Sequence, residues 1–212
     1  MEELARLYVV HLRSVQPNGP YHLLGWSFGG LLAHAIATAL HDAGEAVAFL
    51  CTVDGYPAEA FPEDPEPGTE PSEDEGLTAL FDLLGGPPDA GVPTEPLGPE
   101  AFADAVREQV PASGADRDLC TSLGRCFEQH VRLAHEHRPQ RCTGDLFVVS
   151  AGHDGVWSRL PEAWHPYVDG TCTLARVPCG HQELFSPGWI DTTGTLVADA
   201  LRTATHHTDR ER

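Results

Sequence analysis

The best candidates for catalytic chemistry lie in the sequence GWSFGG at positions 25–30, where a serine stands between glycines. The apolar run at residues 21–24 predicts a buried strand before them, and the Ala- and Leu-rich run at residues 31–43 predicts a helix after them. A strand, the pattern G-x-S-x-G and a helix form the context of a nucleophile elbow, which presents a serine hydroxyl at a sharp turn. We therefore predict that Ser27 is a nucleophile.

The residues around Ser27 have predicted roles in the same turn. The flanking glycines, Gly25 and Gly29, are expected at points where the turn leaves no room for a side chain. Phe28 would open the following helix, where the first N–H groups lack intrahelical partners and the helix dipole is positive. We expect the Phe28 N–H to donate to an oxyanion during attack on a carbonyl. A phosphate-binding turn is the weaker alternative, because no lysine follows the glycines and G-x-G-x-x-G is absent.

A serine hydroxyl needs a base to take its proton, and His181 is the candidate. It stands in a short loop sequence, PCGH, after a predicted strand. A carboxylate must hold the imidazole, and two aspartates compete for this role. Asp54 directly follows a strand, whereas Asp154 lies in an Asp-Gly pair that is also common in turns. The chain order serine, aspartate, histidine fits an α/β architecture, and the residues alone favour Asp54 only slightly.

Alternating strand and helix patterns predict a mostly parallel α/β sheet that would position these residues. Strands are predicted at residues 21–24, 46–53, 146–150 and 171–177, and helices at 2–15, 31–43, 75–84, 99–110, 116–137 and 189–203. Because ligands bind beyond the carboxyl ends of parallel strands, the serine, both aspartates and the histidine are expected at one edge of the sheet.

The chain is expected to hold one core and one insertion. Prolines interleave with acidic residues at 57–72, which predicts a loop there. We predict an α/β core from residues 1–56 and 142–205, an acidic loop with a helical lid at 57–141, and a disordered tail at 206–212.

Charge and cysteine content exclude several classes of function. The net charge of −19, from 32 acidic and 13 basic residues, disfavours nucleic-acid and anionic-membrane partners. No signal-peptide pattern and no run of 18 apolar residues occurs, so we expect a cytoplasmic protein with reduced thiols. The six cysteines fit no zinc spacing, and we predict no metal site.

Residues 21–30, YHLLGWSFGG, resemble the elbow of the terminal thioesterase domains of nonribosomal peptide synthetases. Stand-alone editing thioesterases more often have His before the serine and Met-Gly after it. The sequence DGYP at 54–57 is similar to the family's Asp-x-x-Pro pattern, while residues 164–170 and His181 fit its closing segment loosely. The resemblance implies an α/β-hydrolase fold and a triad of Ser27, Asp54 and His181, with Asp154 as the alternative acid.

The resemblance also implies a function. The enzyme would take a peptidyl or acyl chain from the phosphopantetheine thioester of a carrier-protein domain and hold it as an acyl-serine. Hydrolysis or macrocyclisation would then release the chain. The phosphopantetheine would belong to the carrier, and this chain would bind no cofactor itself. The alternatives are a stand-alone editing thioesterase or general esterase of the same fold and, from another class, a catalytically incomplete fragment or interaction module.

The last alternative follows from a departure from the family pattern. Residues 1–26 leave room for one helix and one strand before the elbow, whereas family members carry further early strands. A loop after one of those strands supplies the second oxyanion-hole N–H. We therefore expect the early strands and that second donor to be missing here, as in a truncated piece or a domain that needs a partner segment.

Overall fold

A computed structural model describes residues 1–60, 99–109, 116–152 and 161–208 of the chain. The chain divides into two compact units. The first, here called the sheet unit, comprises Met1–Asp64 and Ala134–Arg212, and the second comprises Pro65–Leu133.

The described part of the sheet unit contains a four-stranded parallel sheet in the order β1-β2-β3-β4. The strands are β1 (Tyr21–Trp26), β2 (Val47–Val53), β3 (Leu146–Ala151) and β4 (Cys172–Val177). Strand β2, with the sequence VAFLCTV, is apolar except for Thr52, as expected for a central strand covered on both faces. Because the strands are parallel, their carboxyl ends lie at one edge.

The described α-helices are α1 (Glu2–Val15), α2 (Phe28–Asp42), α3 (Pro99–Gln109), α4 (Arg117–Glu136) and α5 (Ile190–Thr208). Three of them, α1, α2 and α5, cover the two faces of this sheet. Side chains alternate along β2, so Leu50 packs in one core cluster with residues of α1 and α2. Phe49 and Cys51 pack in the other cluster, against residues of α5. The sheet is therefore held between α1 and α2 on one side and α5 on the other.

In the second unit, exposed ion pairs join residues of α3 to residues of α4. The Arg117 guanidinium donates two hydrogen bonds of 2.9 Å to the carboxylate of Asp104. Arg125 donates one hydrogen bond of 2.7 Å to the carboxylate of Glu100. These partners lower the pKa of both carboxyl groups.

The strands and helices predicted within the described residues are present, with shifted ends. The last helix continues to Thr208, beyond the predicted end at 203 and into the predicted tail. Its apolar pattern explains the extension, because Leu201 and Ala204 pack against the second core cluster. The helix predicted at 75–84 lies outside the described residues. Among the described helices, none has the length and apolar character needed to cross a membrane.

Candidate active site

Ser27 lies at the turn between β1 and α2 in a strained backbone conformation. Its φ is 54° and its ψ is −126°, a region that residues with side chains rarely occupy. Among the described non-glycine residues, Ser27 and Asp54 have positive φ, the latter at 49°. Such strain is characteristic of functional sites, where the surrounding structure must hold it in place. Two predicted site residues therefore share an unusual backbone feature that the sequence does not display.

Glycines allow the chain to pass closely around the elbow. A Cβ on Gly25 would overlap the backbone of Gly29 and Gly30, and a Cβ on Gly55 would overlap the carbonyl oxygen of Ser27. The prediction that Gly29 has no room for a side chain is wrong, because its Cβ would meet no described atom within 4 Å. The steric requirement falls instead on Gly25 before the serine and on Gly55 after the acid.

Asp54 follows β2 and is a buried carboxylate, only 2% exposed. Its oxygen Oδ1 accepts a hydrogen bond of 2.9 Å from the Ala151 N–H and lies 2.9 Å from the Tyr56 hydroxyl. Its other oxygen, Oδ2, lies 2.5 Å from Nδ1 of His181. Buried carboxylates require such partners, since an unpaired one would be strongly disfavoured. The arrangement leaves one oxygen held by the protein and the other facing the imidazole.

His181 opens the 3₁₀ helix His181–Phe185 that follows β4. Its ring stacks on Trp26, with ring centroids 5.2 Å apart and an interplanar angle of 25°. Asp54 and Trp26 therefore fix the imidazole from two directions. The side chain remains 20% exposed, so its environment is not closed to a substrate.

The residues before and within this 3₁₀ helix shape the local electrostatics. The Gly180 N–H donates to Oε2 of Glu183 at 2.7 Å, which closes the turn carrying His181. Burial, followed by the charges of Glu183 and Asp54, raises the pKa of the Cys179 thiol. Cys179 is therefore a protonated, buried residue beside the site.

The described structure brings three predicted residues together at the carboxyl edge of the sheet. The Ser27 N–H donates to Val53 O at 2.9 Å, which places the serine beside the strand end that carries Asp54. The residue preceding Ser27 stacks on His181. Phe28, the predicted oxyanion donor, is the first residue of α2. Asp154, the alternative acid, lies outside the described residues and stays a prediction.

Three supporting residues have no predicted role in the sequence. The Tyr56 hydroxyl lies between Asp54 and Ser150. The indole N–H of Trp164, a fully buried side chain, donates to Gly55 O at 2.9 Å and anchors the segment after the acid. In the sequence, Tyr56 could have been found because it lies two residues after Asp54. Ser150 could have been found because it lies near the end of a predicted strand. The resemblance at residues 164–170 marks Trp164, but no sequence signal indicates its contact with Gly55.

A family model described as a thioesterase domain matches residues 1–195 of this chain. Among curated proteins, a dimodular nonribosomal peptide synthase of Bacillus subtilis (strain 168) is 30% identical over 204 residues. The alignment covers 95% of this chain and 8% of that protein. The chain therefore spans less than a tenth of this relative's length.

Solved thioesterase structures share the fold. The NocB thioesterase domain, in covalent complex with a fluorophosphonate nocardicin G analog, matches with a TM-score of 0.60 and 22% identity, over 94% of this chain and 73% of that one. The thioesterase domain SrfTE, described for cyclization of the lipopeptide surfactin, matches with a TM-score of 0.59 and 19% identity, over 92% and 73%. The chain has the α/β-hydrolase fold of these thioesterases.

Proposed function

The chain belongs to the thioesterase domain family, and we propose that Ser27, His181 and Asp54 are its nucleophile, base and acid. The observation that carries this proposal is the buried Asp54 carboxylate paired with His181 at 2.5 Å, beside the strained elbow residue Ser27. Ser27 is partly exposed, and a nucleophile beside a base that a third group orients is the general arrangement for covalent acyl transfer.

The first half of the reaction forms an acyl-enzyme. His181 takes the proton of the Ser27 hydroxyl while the serine oxygen attacks the thioester carbonyl. Asp54 holds the imidazole through Nδ1 and stabilises the imidazolium that forms. The Phe28 N–H, at the start of α2, donates to the oxyanion. The thiol then leaves with the proton that His181 returns, and the acyl group stays on Ser27.

The second half releases the acyl group. Water, or an amine or hydroxyl of the acyl chain itself, gives a proton to His181 and attacks the ester carbonyl. The Ser27 oxygen leaves and regains a proton from His181. The product is a linear acid with water, or a ring with the internal nucleophile.

The substrate that we propose is a peptidyl or acyl chain carried as a thioester on the phosphopantetheine of a carrier-protein domain. The support is similarity to a peptide synthase along nearly the whole of this chain. The phosphopantetheine would belong to the carrier partner, and the reaction would take place in the cytoplasm. The division into a hydrolase core at 1–56 and 142–205 and an inserted lid at 57–141 stays a prediction.

Intact-mass analysis after incubation with a peptidyl N-acetylcysteamine thioester tests the proposed nucleophile. We expect an adduct with the mass of the acyl group on the native chain and none on Ser27→Ala. An adduct of unchanged yield on Ser27→Ala would overturn the proposal. A strong preference for short acyl thioesters would instead favour the editing-thioesterase alternative.

Two control variants make the mass measurement specific. Ser14→Ala removes an exposed hydroxyl from α1 and should leave the adduct unchanged. Cys126 is an exposed free thiol, which can exchange with a thioester without any catalytic site. The measurement is therefore made in a Cys126→Ser background, and peptide mapping should locate the acyl group on Ser27.

A further inference from the structure

We propose that Tyr56 and Ser150 are positioning residues, which form a chain of hydroxyl donors that holds the Asp54 carboxylate for His181. This inference rests on the proposed function, because it assigns the hydroxyls a role through Asp54. It extends that function by two residues that do not contact the reacting atoms.

The hydroxyl chain is buried and short. Tyr56 and Ser150 are each 3% exposed. The Tyr56 oxygen lies 2.9 Å from Oδ1 of Asp54 and 2.7 Å from Oγ of Ser150. Ser150 is near the end of β3, and its neighbour Ala151 donates its N–H to the same Oδ1 at 2.9 Å. One carboxylate oxygen is thus held from two directions, by Tyr56 and by the end of β3.

Proton counting fixes the direction of the chain. An ionised carboxylate can only accept, so the Tyr56 O–H must donate to Asp54. Tyr56 has one proton, so its oxygen must accept at its contact with Ser150, and the Ser150 O–H donates. The other order would send the Ser150 proton to Ala151 O at 3.2 Å and the Tyr56 proton to Ser150. Two oxygens would then face each other at 2.9 Å without a proton between them.

This direction has a functional consequence. The two donors on Oδ1 fix the rotation of the carboxyl group, which leaves Oδ2 directed at Nδ1 of His181. Oriented groups of this kind lower the barrier without binding substrate themselves. Loss of the Tyr56 hydroxyl should therefore lower kcat and leave KM nearly unchanged.

Steady-state kinetics with the peptidyl thioester test the proposal in three variants. Tyr56→Phe removes one donor from a charged acceptor and should lower kcat about tenfold or more, with KM changed less than about twofold. Ser150→Ala acts through Tyr56 and should lower kcat less, by about threefold. Adding Ser150→Ala to Tyr56→Phe should change nothing further, because the Ser150 donor no longer has its acceptor.

Tyr21→Phe is the matched control. Tyr21 is also 3% exposed, and its hydroxyl donates to Gln16 O at 2.8 Å, at the opposite end of β1 from Ser27. The variant removes the same atom at equal burial and should leave kcat unchanged. A loss of kcat on Tyr21→Phe equal to that on Tyr56→Phe would show a structural effect and overturn the proposal.

The remaining outcomes separate this inference from the proposed triad. Full kcat on Tyr56→Phe, with kcat abolished on Ser27→Ala, overturns the hydroxyl chain and leaves the triad standing. Full kcat on Ser27→Ala overturns the triad itself.

If Tyr56→Phe does not fold, the Ser150 variants decide. Ser150→Ala should lower kcat, and Ser150→Thr, which keeps the hydroxyl, should have a kcat close to that of the native chain. Equal kcat for Ala and Thr at this position overturns the proposal.

Discussion

Two regions of the sheet unit each place a histidine against a tryptophan, with different results. At the carboxyl edge of the sheet, His181 stacks on Trp26 with ring centroids 5.2 Å apart, and it pairs with a carboxylate. On α2, His34 lies against Trp164 with ring centroids 4.9 Å apart. An aromatic neighbour is therefore common to both histidines, but of the two only His181 has a described hydrogen bond to Asp54.

The partners of His34 give it a structural role. Its side chain is fully buried, and its Nε2 lies 2.9 Å from Tyr167 O. Its Nδ1 has no hydrogen-bond partner among the described residues. Burial lowers the pKa of His34 to about 4, so the ring is neutral and its Nε2–H donates to the carbonyl. His34 and His181 therefore differ in burial and in the carboxylate that pairs with His181, and they share the aromatic neighbour.

Asp54→Asn is expected to have the largest effect. It removes the negative charge beside His181, the feature that distinguishes His181 from His34. An amide cannot stabilise the imidazolium, and its NH₂ group favours the wrong imidazole tautomer. By analogy with other serine triads, kcat should fall about 10⁴-fold. Steady-state hydrolysis of the peptidyl thioester measures it, with circular dichroism to confirm the fold. A decrease of less than tenfold would contradict the assigned role and shift attention to Asp154.

The proposed triad could be predicted because the sequence shows where the strands end. Ser27, Asp54 and His181 each follow an apolar run, and parallel strands bring such positions to one edge. The hydroxyl chain is invisible at that level, because the contact between Tyr56 and Ser150 depends on the register that pairs β2 with β3. The backbone strain at Ser27 and Asp54 likewise follows from packing of the surrounding loops, not from residue type.

In the fold too, local sequence patterns predict the elements, whereas close contacts between distant residues are not predicted. The continuous, mostly apolar run of β2 predicts its burial on both faces, and α1 is observed at the predicted residues, Glu2–Val15. The prediction for Gly29 is wrong because the motif G-x-S-x-G does not distinguish its two glycines. Only at Gly25 does neighbouring backbone, that of Gly29 and Gly30, come too close for a side chain. Trp164 reaches Gly55 across 109 positions of sequence, and no local pattern encodes that contact.

A second prediction concerns His34 and the pH dependence of stability. Its folded pKa of about 4 lies below the value of 6.5 expected when unfolded. Below pH 6.5 the unfolded chain binds a proton that the folded chain does not. The free energy of unfolding therefore falls as the pH is lowered, until about pH 4. The total loss from this group should be about 3 kcal/mol. The free energy of unfolding measured with urea should be about 2 kcal/mol lower at pH 5 than at pH 7 because of this group.

His34→Gln is the control for this measurement. Its amide can donate to Tyr167 O but cannot titrate, so stability should fall less between pH 7 and pH 5 than in the native chain. Burial also lowers the pKa of His41, His130 and His137, and their contributions cancel in the comparison of the two proteins. Equal pH slopes would show that His34 takes up a proton in the folded state, which would remove the contrast with His181.

The smallest expected effect comes from the feature that both histidines share. Trp26→Leu removes the ring under His181, and with it the attraction between the aromatic face and the imidazolium that forms during attack. Such an interaction contributes about 1 kcal/mol at a partly exposed site, so kcat should fall roughly fivefold to tenfold with little change in KM.

Trp26→Phe separates this attraction from packing. Within the described part of the chain, the buried indole nitrogen of Trp26 has no hydrogen-bond partner, so phenylalanine loses no described hydrogen bond and keeps an aromatic face toward His181. It should retain more kcat than leucine, while the two variants unfold at similar urea concentrations. Equal kcat in Trp26→Phe and Trp26→Leu would mean that the Trp26 ring only fills space beside His181. The Asp54 carboxylate and the partial exposure of His181 would then account for the difference between the two histidines.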